Sequence, residues 1–264
     1  MQPLLNIATK AARQAGDIIA RCVERLDTLE VTVKMPNDFV TEVDRRAEQE
    51  IIKTIHRAYP DHGIIAEESG NSNGNEFTWI IDPLDGTTNF LHGFPHYAVS
   101  IAVQLRDRIE HAVVYDPIKQ EMFSASRGSG AQLNGRRIRV SKSQGLAGAL
   151  IGTGFPFKDP RYLPAYLQMF TAISKDTSGI RRAGSAALDL AYVAAGRLDG
   201  FWEFGLNIWD IAAGVLLIEE AGGLVTELNG GKQFLQTGHI AAGNLKTCKA
   251  LNQIIQPYIP ETLR

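Results

Sequence analysis

Cysteine is nearly absent from this chain: 264 residues hold two, Cys22 and Cys248. So distant a pair offers neither metal-ligand spacing nor a disulfide framework, and it fits a reducing, cytoplasmic setting. An excess of charge of one sign is lacking as well. A formal net charge of −2 gives no general pull toward nucleic acid or anionic membrane, and no basic stripe marks an RNA-binding face. No apolar run approaches the length of a membrane span. Lys10, Arg13, Asp17 and Arg21 interrupt any signal-peptide core near the N-terminus. Internal repeats, charge blocks and low-complexity tracts are missing too. What remains, 44% apolar residues over this length, is ample for a sizeable core, as one domain or as two halves sharing an interface. The expectation is a soluble, cytoplasmic protein.

The stretch Trp79-Ile-Ile-Asp-Pro-Leu-Asp-Gly-Thr-Thr-Asn-Phe90 organises the rest. An apolar run suited to a buried strand turns at Asp82-Pro83, then presents Asp85, Gly86 and two threonines suited to open a helix. Asp82 and Asp85, three apart, can turn both carboxylates and the Leu84 carbonyl toward one point. Such an all-oxygen environment suits a hard divalent cation such as Mg2+. The N–H groups of Gly86, Thr87 and Thr88 would then cradle a phosphate at the helix start. The plain structural reading of the same residues is a strand, an Asp-Pro turn and a capped helix. Further acidic positions at strand-to-helix junctions, Glu67-Glu68 and Trp209-Asp210, weigh toward a site.

Periodicity supplies the surrounding elements. Residues 4–26 read as an amphipathic helix, Val31–Lys34 as extended, Met35–Asp38 as a turn, and a second helix begins near Thr41 and buries Val43, Ala47, Ile51 and Ile55. Asp38 and Asp44 flank its first turn, where capping is the structural reading. Alternation from 97 to 140, broken by Arg-Asp-Arg, Asp-Pro and Gly-Ser-Gly, predicts an antiparallel sheet of hairpins. Beyond it, strands at 149–154, 201–204, 224–228 and 239–242 alternate with helices at about 160–174, 184–196, 209–221 and 245–256. A hairpin-rich half (1–145) followed by an alternating half (146–264) predicts a layered α/β sandwich.

These motifs resemble the inositol monophosphatase family of Mg2+-dependent, lithium-sensitive phosphatases. The residues that carry the resemblance are Glu67-Glu68-Ser69, the 79–90 segment, Gly184-Ser-Ala, Trp209-Asp-Ile-Ala-Ala-Gly214 and Asp38-Phe-Val-Thr-Glu-Val-Asp44. The likeness runs nearly end to end and is strongest to bacterial, extragenic-suppressor-type members. It implies a five-layer αβαβα sandwich with the site at the seam between halves, two to three Mg2+ per site, and a homodimer. By that resemblance Glu67, Asp82 and the Leu84 carbonyl hold one Mg2+. Asp82, Asp85 and Asp210 hold a second, and Glu67 borders a weaker third. Thr87 orients and helps deprotonate the attacking water, with Glu67 and Asp82 the other catalytic positions. Asp85, Gly86, Thr87, Gly184, Ser185, Ala186, Glu203 and Asp210 face the substrate, and Lys34, Asp38, Asp44 and Glu68 form an outer shell. Ser185 keeps the hydroxyl where related enzymes often have threonine.

The implied reaction is hydrolysis of myo-inositol 1-phosphate. The same superfamily also includes phosphatases for fructose 1,6-bisphosphate, histidinol phosphate and 3′-phosphoadenosine species. From a different class comes a partner role, because the bacterial members are also linked to ribosomal RNA antitermination complexes. His92 and His96 suggest no phosphorylated-histidine chemistry; His92-Gly-Phe-Pro reads as a helix-end loop. Arg181-Arg182 read as an interface or as phosphate-neutralising cations, the interface being favoured.

Overall fold

The computed structural model describes residues 3–23, 26, 31–35, 38–157 and 159–263; for residues 31, 33–35 and 38–40 it describes the backbone alone. The first half opens with α1 (Pro3–Cys22), the antiparallel pair β1 (Val31–Met35) and β2 (Asp38–Thr41), and α2 (Glu42–Ala58). It continues through β3 (Gly63–Ala66), β4 (Gly70–Ser72), β5 (Phe77–Asp85) and the short α3 (Thr87–Leu91). The hairpin strands β6 (Ala98–Leu105), β7 (Arg108–Asp116), β8 (Glu121–Ser126), β9 (Gly130–Leu133) and β10 (Arg136–Arg137) follow. The second half comprises β11 (Leu150–Thr153), α4 (Leu163–Ser174), β12 (Gly179–Arg181), α5 (Ala186–Ala194) and β13 (Gly200–Glu203). It ends with α6 (Ile208–Glu220), β14 (Leu224–Thr226), α7 (Phe234–Thr237), β15 (Ile240–Gly243) and α8 (Leu245–Ile255).

Two mixed sheets result. The larger runs β10-β9-β8-β7-β6-β5-β3-β4, the smaller β12-β11-β13-β15-β14. The predicted hairpin sheet is present from β6 to β10; what the sequence did not reveal is that β3 adds to it parallel to β5. The period of two sorts side chains between cores. On β5, Trp79 and Ile81 point into a core under α1 and α2, whereas Ile80 points into a central core. On β13, Phe201 joins that central core and Trp202 joins a third, under α4 and α8. The layers are therefore α1/α2, large sheet, α5/α6, small sheet, α4/α8, the expected αβαβα order.

Local chemistry explains the boundaries. Alanines at helical spacing (Ala8, Ala11, Ala12, Ala15) are fully buried and let α1 approach α2 closely. The predicted extension of the first helix to 26 is not seen: α1 ends at Cys22, Val23 tightens into a 3₁₀ turn, and 24 and 25 lie outside the described residues. The centre of the predicted 35–38 turn, 36 and 37, also lies outside them. The helix expected from 160 begins with a 3₁₀ turn over Pro160–Tyr162, capped by Asp159, before α4 proper. The polar or glycine-containing strands β4 and β12, unrecognised in the sequence, lie at sheet edges. No described helix is long and apolar enough to cross a membrane.

Candidate active site

Strand β5 breaks register with β6 between Asp82 and Asp85. Pro83 has no N–H to give the ladder, so the strand bulges and re-aims the residues on either side. Leu84 N–H folds back to Asp82 Oδ1 at 3.0 Å. The bulge opens onto a cavity of about 470 Å³, with Glu67, Asp82, Leu84, Asp85 and Asp210 on its wall. Asp210 arrives from the second half at the start of α6, where its Oδ2 accepts the Asn207 N–H at 2.7 Å. Glu67 follows β3, its N–H bound to the Ile81 carbonyl at 3.2 Å. All five residues expected as ligands in the sequence thus line one cavity.

Charge crowding dominates the electrostatics. Burial holds the Asp82 carboxyl well above its ordinary range, and Glu67, Asp85 and Asp210 push it further. Asp85 is raised to about 7 by removal from water and by Asp210, despite hydrogen bonds from Ser185 and Ala187 that favour its ionised form. Those two bonds, both 2.7 Å to Asp85 Oδ2, tie the bulge to the start of α5. Among the described residues, no three His, Cys, Asp or Glu side chains converge closely enough to hold a metal ion as they stand. The donor set is nonetheless all oxygen, acidic and mutually repelling, which fits a hard divalent cation.

Thr87 sits at the other side of the bulge. Its hydroxyl is 2.9 Å from Asp44 Oδ1 and 3.0 Å from the Leu84 carbonyl. Asp44 is buried, and its second oxygen, Oδ2, accepts the Thr41 N–H (2.8 Å) and hydroxyl (2.5 Å) in the capping box of α2. Burial raises its proton affinity, the threonine hydrogen bonds oppose that rise, and Glu67 adds to it. Glu48, one turn along α2, accepts the N–H groups of Glu68 (2.9 Å) and Ser69 (2.8 Å) and so fixes the chain beside Glu67.

Glycine is required at two turns. Gly86 has φ +100° and Gly184 φ +93°; a Cβ on the latter would lie 2.9 Å from Asn89 Nδ2. That same nitrogen donates to the carbonyls of His96 (2.7 Å) and Ala183 (2.8 Å), locking the two turns together. Ser185 caps α5, and Ala186 and Glu203 complete the far wall. The helix predicted after Gly86 is only the five-residue α3, too short for much of a macrodipole.

Arg182 lines the cavity with its guanidinium 5.3 Å from the Phe155 ring centre, while Arg181 lies on the edge strand β12. His92 ends α3 as expected and borders the cavity; His96 is buried, and loss of hydration lowers it to about 4. The backbones of Lys34 and Asp38 lie in β1 and β2, and their side chains fall outside the described residues. Three positions escaped the sequence reading: Glu48, Asn89 and Asp189. Glu48 stands four residues after Asp44, hence on the same helix face, a signal that was present. Asn89 lay inside the recognised motif with no role assigned.

The sequence and structure compare closely with known proteins. The model of the inositol monophosphatase family matches residues 1–259. A Pseudomonas aeruginosa protein named Nus factor SuhB is 58% identical across the full length of both chains. The crystal structure of extragenic suppressor protein SuhB from Bartonella henselae superposes with a TM-score of 0.95 at 44% identity, covering 98% of this chain and 100% of that one. An IMPase of Thermotoga maritima does so at 0.89 and 35%, covering 97% and 98%.

Proposed function

The chain belongs to the inositol monophosphatase family, and within it we propose two roles: a Nus-factor-type partner of transcription complexes that keeps a competent Mg2+-dependent phosphomonoesterase site. The partner role rests on the full-length likeness to proteins named Nus factor SuhB. The near-neutral charge favours contact with protein over charge-driven binding to RNA.

The hydrolytic role rests on one observation, the Thr87–Asp44 pair beside a wall of mutually repelling carboxylates. Glu67, Asp82 and the Leu84 carbonyl would hold one Mg2+; Asp82, Asp85 and Asp210 would hold another. Bound there, Mg2+ supplies positive charge against the phosphoryl oxygens and acidifies water. Gly86 and Thr87 offer N–H groups to the phosphate. Thr87 Oγ, while donating to Asp44, has a lone pair free to accept a proton of the attacking water, and its own proton passes to Asp44. Asp44 suits this because burial raises its proton affinity. The alcohol side of the ester faces Ser185, Ala186 and Glu203, and the substrate is myo-inositol 1-phosphate.

The test is phosphate release from inositol 1-phosphate with Mg2+, with Mg2+ plus Li+, and with EDTA, alongside Asp82→Asn. Turnover that needs Mg2+, falls with Li+ and is lost in the variant supports the enzyme; turnover that survives chelation overturns it. In parallel, a pull-down of transcription complexes should recover wild type and Asp82→Asn alike. Failure to recover either removes the partner role.

A further inference from the structure

Helix α5 is apolar except for one charged residue, Asp189, which is 2% exposed. Its carboxyl lines the cavity together with that of Glu203, 8% exposed at the end of β13. Among the described residues no group donates a hydrogen bond to either carboxyl, although an unpaired buried polar group is unfavourable. Burial raises both well above the ordinary carboxyl range, and the charge of Arg182 opposes that rise.

Both carboxyls lie by the end of β11, where Gly152 and, just past the strand, Gly154 carry no side chain. A Cβ on Gly154 would stand 2.0 Å from Glu203 Oε1, and a Cβ on Gly152 would meet Leu198 Cδ1 at 2.9 Å, Phe201 Cδ2 at 3.1 Å and Asp189 Cγ at 3.6 Å. Residues two apart on a strand share a face and lie roughly 7 Å from each other. The two groups thus lie near each other on one side of the chain, close enough for the Asp189 charge to act on Glu203, and neighbouring hydroxyls of one ligand can engage both. One half-turn before Asp189, Ala187 N–H binds Asp85 at 2.7 Å. Gly86 and Thr87, whose N–H groups are offered to the phosphate above, line the same cavity, so the alcohol part of the ester shares that cavity with Asp189.

We infer that Asp189 is a further substrate-contacting, specificity-determining residue, which with Glu203 grips two hydroxyls of the alcohol part of the ester. The inference rests on the phosphomonoesterase reading above and deepens it: the site selects monophosphates of neutral polyols. It disfavours esters whose alcohol lacks hydroxyls, and it disfavours bisphosphates, whose second phosphate would meet two carboxyls.

The experiment compares Asp189→Asn with wild type on inositol 1-phosphate and on p-nitrophenyl phosphate, which has no hydroxyls, at saturating Mg2+. The expected result is a rise of about tenfold in KM for the polyol ester, with kcat little changed, the size set by one weakened hydrogen bond. The aryl ester should change by less than about twofold. Equal effects on both substrates, or no effect on either, overturn the inference. Glu203→Gln and the double variant provide the second reading, since two residues gripping one diol must be non-additive on the polyol alone. If wild type turns over neither ester, the hydrolytic reading has failed, and selectivity is then read by calorimetry of the same two ligands with Mg2+. Loss of polyol preference in Asp189→Asn supports the inference there, and unchanged preference overturns it.

Discussion

One oxygen of Asp44 closes the capping box of α2, and the other lies 2.9 Å from the Thr87 hydroxyl, 43 residues along the chain. A single carboxylate therefore ends a helix and orients a candidate catalytic hydroxyl. Capping and a place at the candidate site are not competing readings here: Asp210 caps α6 and Ser185 caps α5, and both line the cavity.

Removing the Thr87 hydroxyl should expose this coupling. Thr87→Val is expected to lower kcat by about 10²–10⁴, the usual worth of positioned proton transfer, and Thr87→Ser to recover most of it. Steady-state kinetics on inositol 1-phosphate, with a thermal melt as control, decides the matter. Equal loss in both variants would point to packing instead.

Glu48 should act through Glu67. Glu48→Gln keeps one acceptor oxygen for the two buried N–H groups but loses the charge, so the Mg2+ concentration for half-maximal activity should rise several-fold while kcat at saturating Mg2+ changes little. Glu48→Ala should also destabilise the fold by about 1–3 kcal/mol, because both donors lose their partner. A Mg2+ titration of activity and a denaturant melt separate the two effects.

The carboxylate wall predicts a pH dependence with a definite sign. The folded Asp85 titrates at about 7 and Asp82, Glu203 and Asp189 are raised well above their ordinary values. Acids raised on folding stabilise the chain fully below their unfolded values, and that contribution is lost as pH rises through the folded ones. In EDTA the melting temperature should therefore fall from about pH 5 to 8 relative to the Mg2+-loaded protein, and the gap between the curves should widen with pH. A gap that stays constant counts against a cation held by these carboxyls.

His62 carries the opposite sign. Its ring stacks on Tyr59 and Phe77, and Nδ1 accepts the Trp79 indole N–H at 3.0 Å. Burial lowers its proton affinity, so the stability it contributes is present above the ordinary value of 6.5 and lost as pH falls through the folded one. His62→Gln should flatten the loss of stability below about pH 6.5, at some cost at neutral pH, with Mg2+-dependent turnover at pH 7 unchanged. An acid limb identical to that of wild type would exclude His62 as its source.

The sequence by itself determined most of the elements and most of the acidic wall. The alternation of Trp79-Ile80-Ile81 and the alanine spacing of α1 follow from periods of 2 and 3.6, which are local properties. The Asp82-Pro83-Leu84-Asp85 bulge is local as well, since a missing N–H and a short spacing suffice to turn its oxygens one way. What only the tertiary structure decided are meetings between distant segments, which no short-range rule encodes. Thr87 finds Asp44, Asp85 finds Ser185 and Ala187, Glu48 finds the amides after Glu67, and Asp189 comes to face the cavity over Gly152. Two glycines at the end of a strand and one acid in an apolar helix are unremarkable apart. They make a surface only when the small sheet packs on α5, because the cost of burying that carboxyl is set by its neighbours in space.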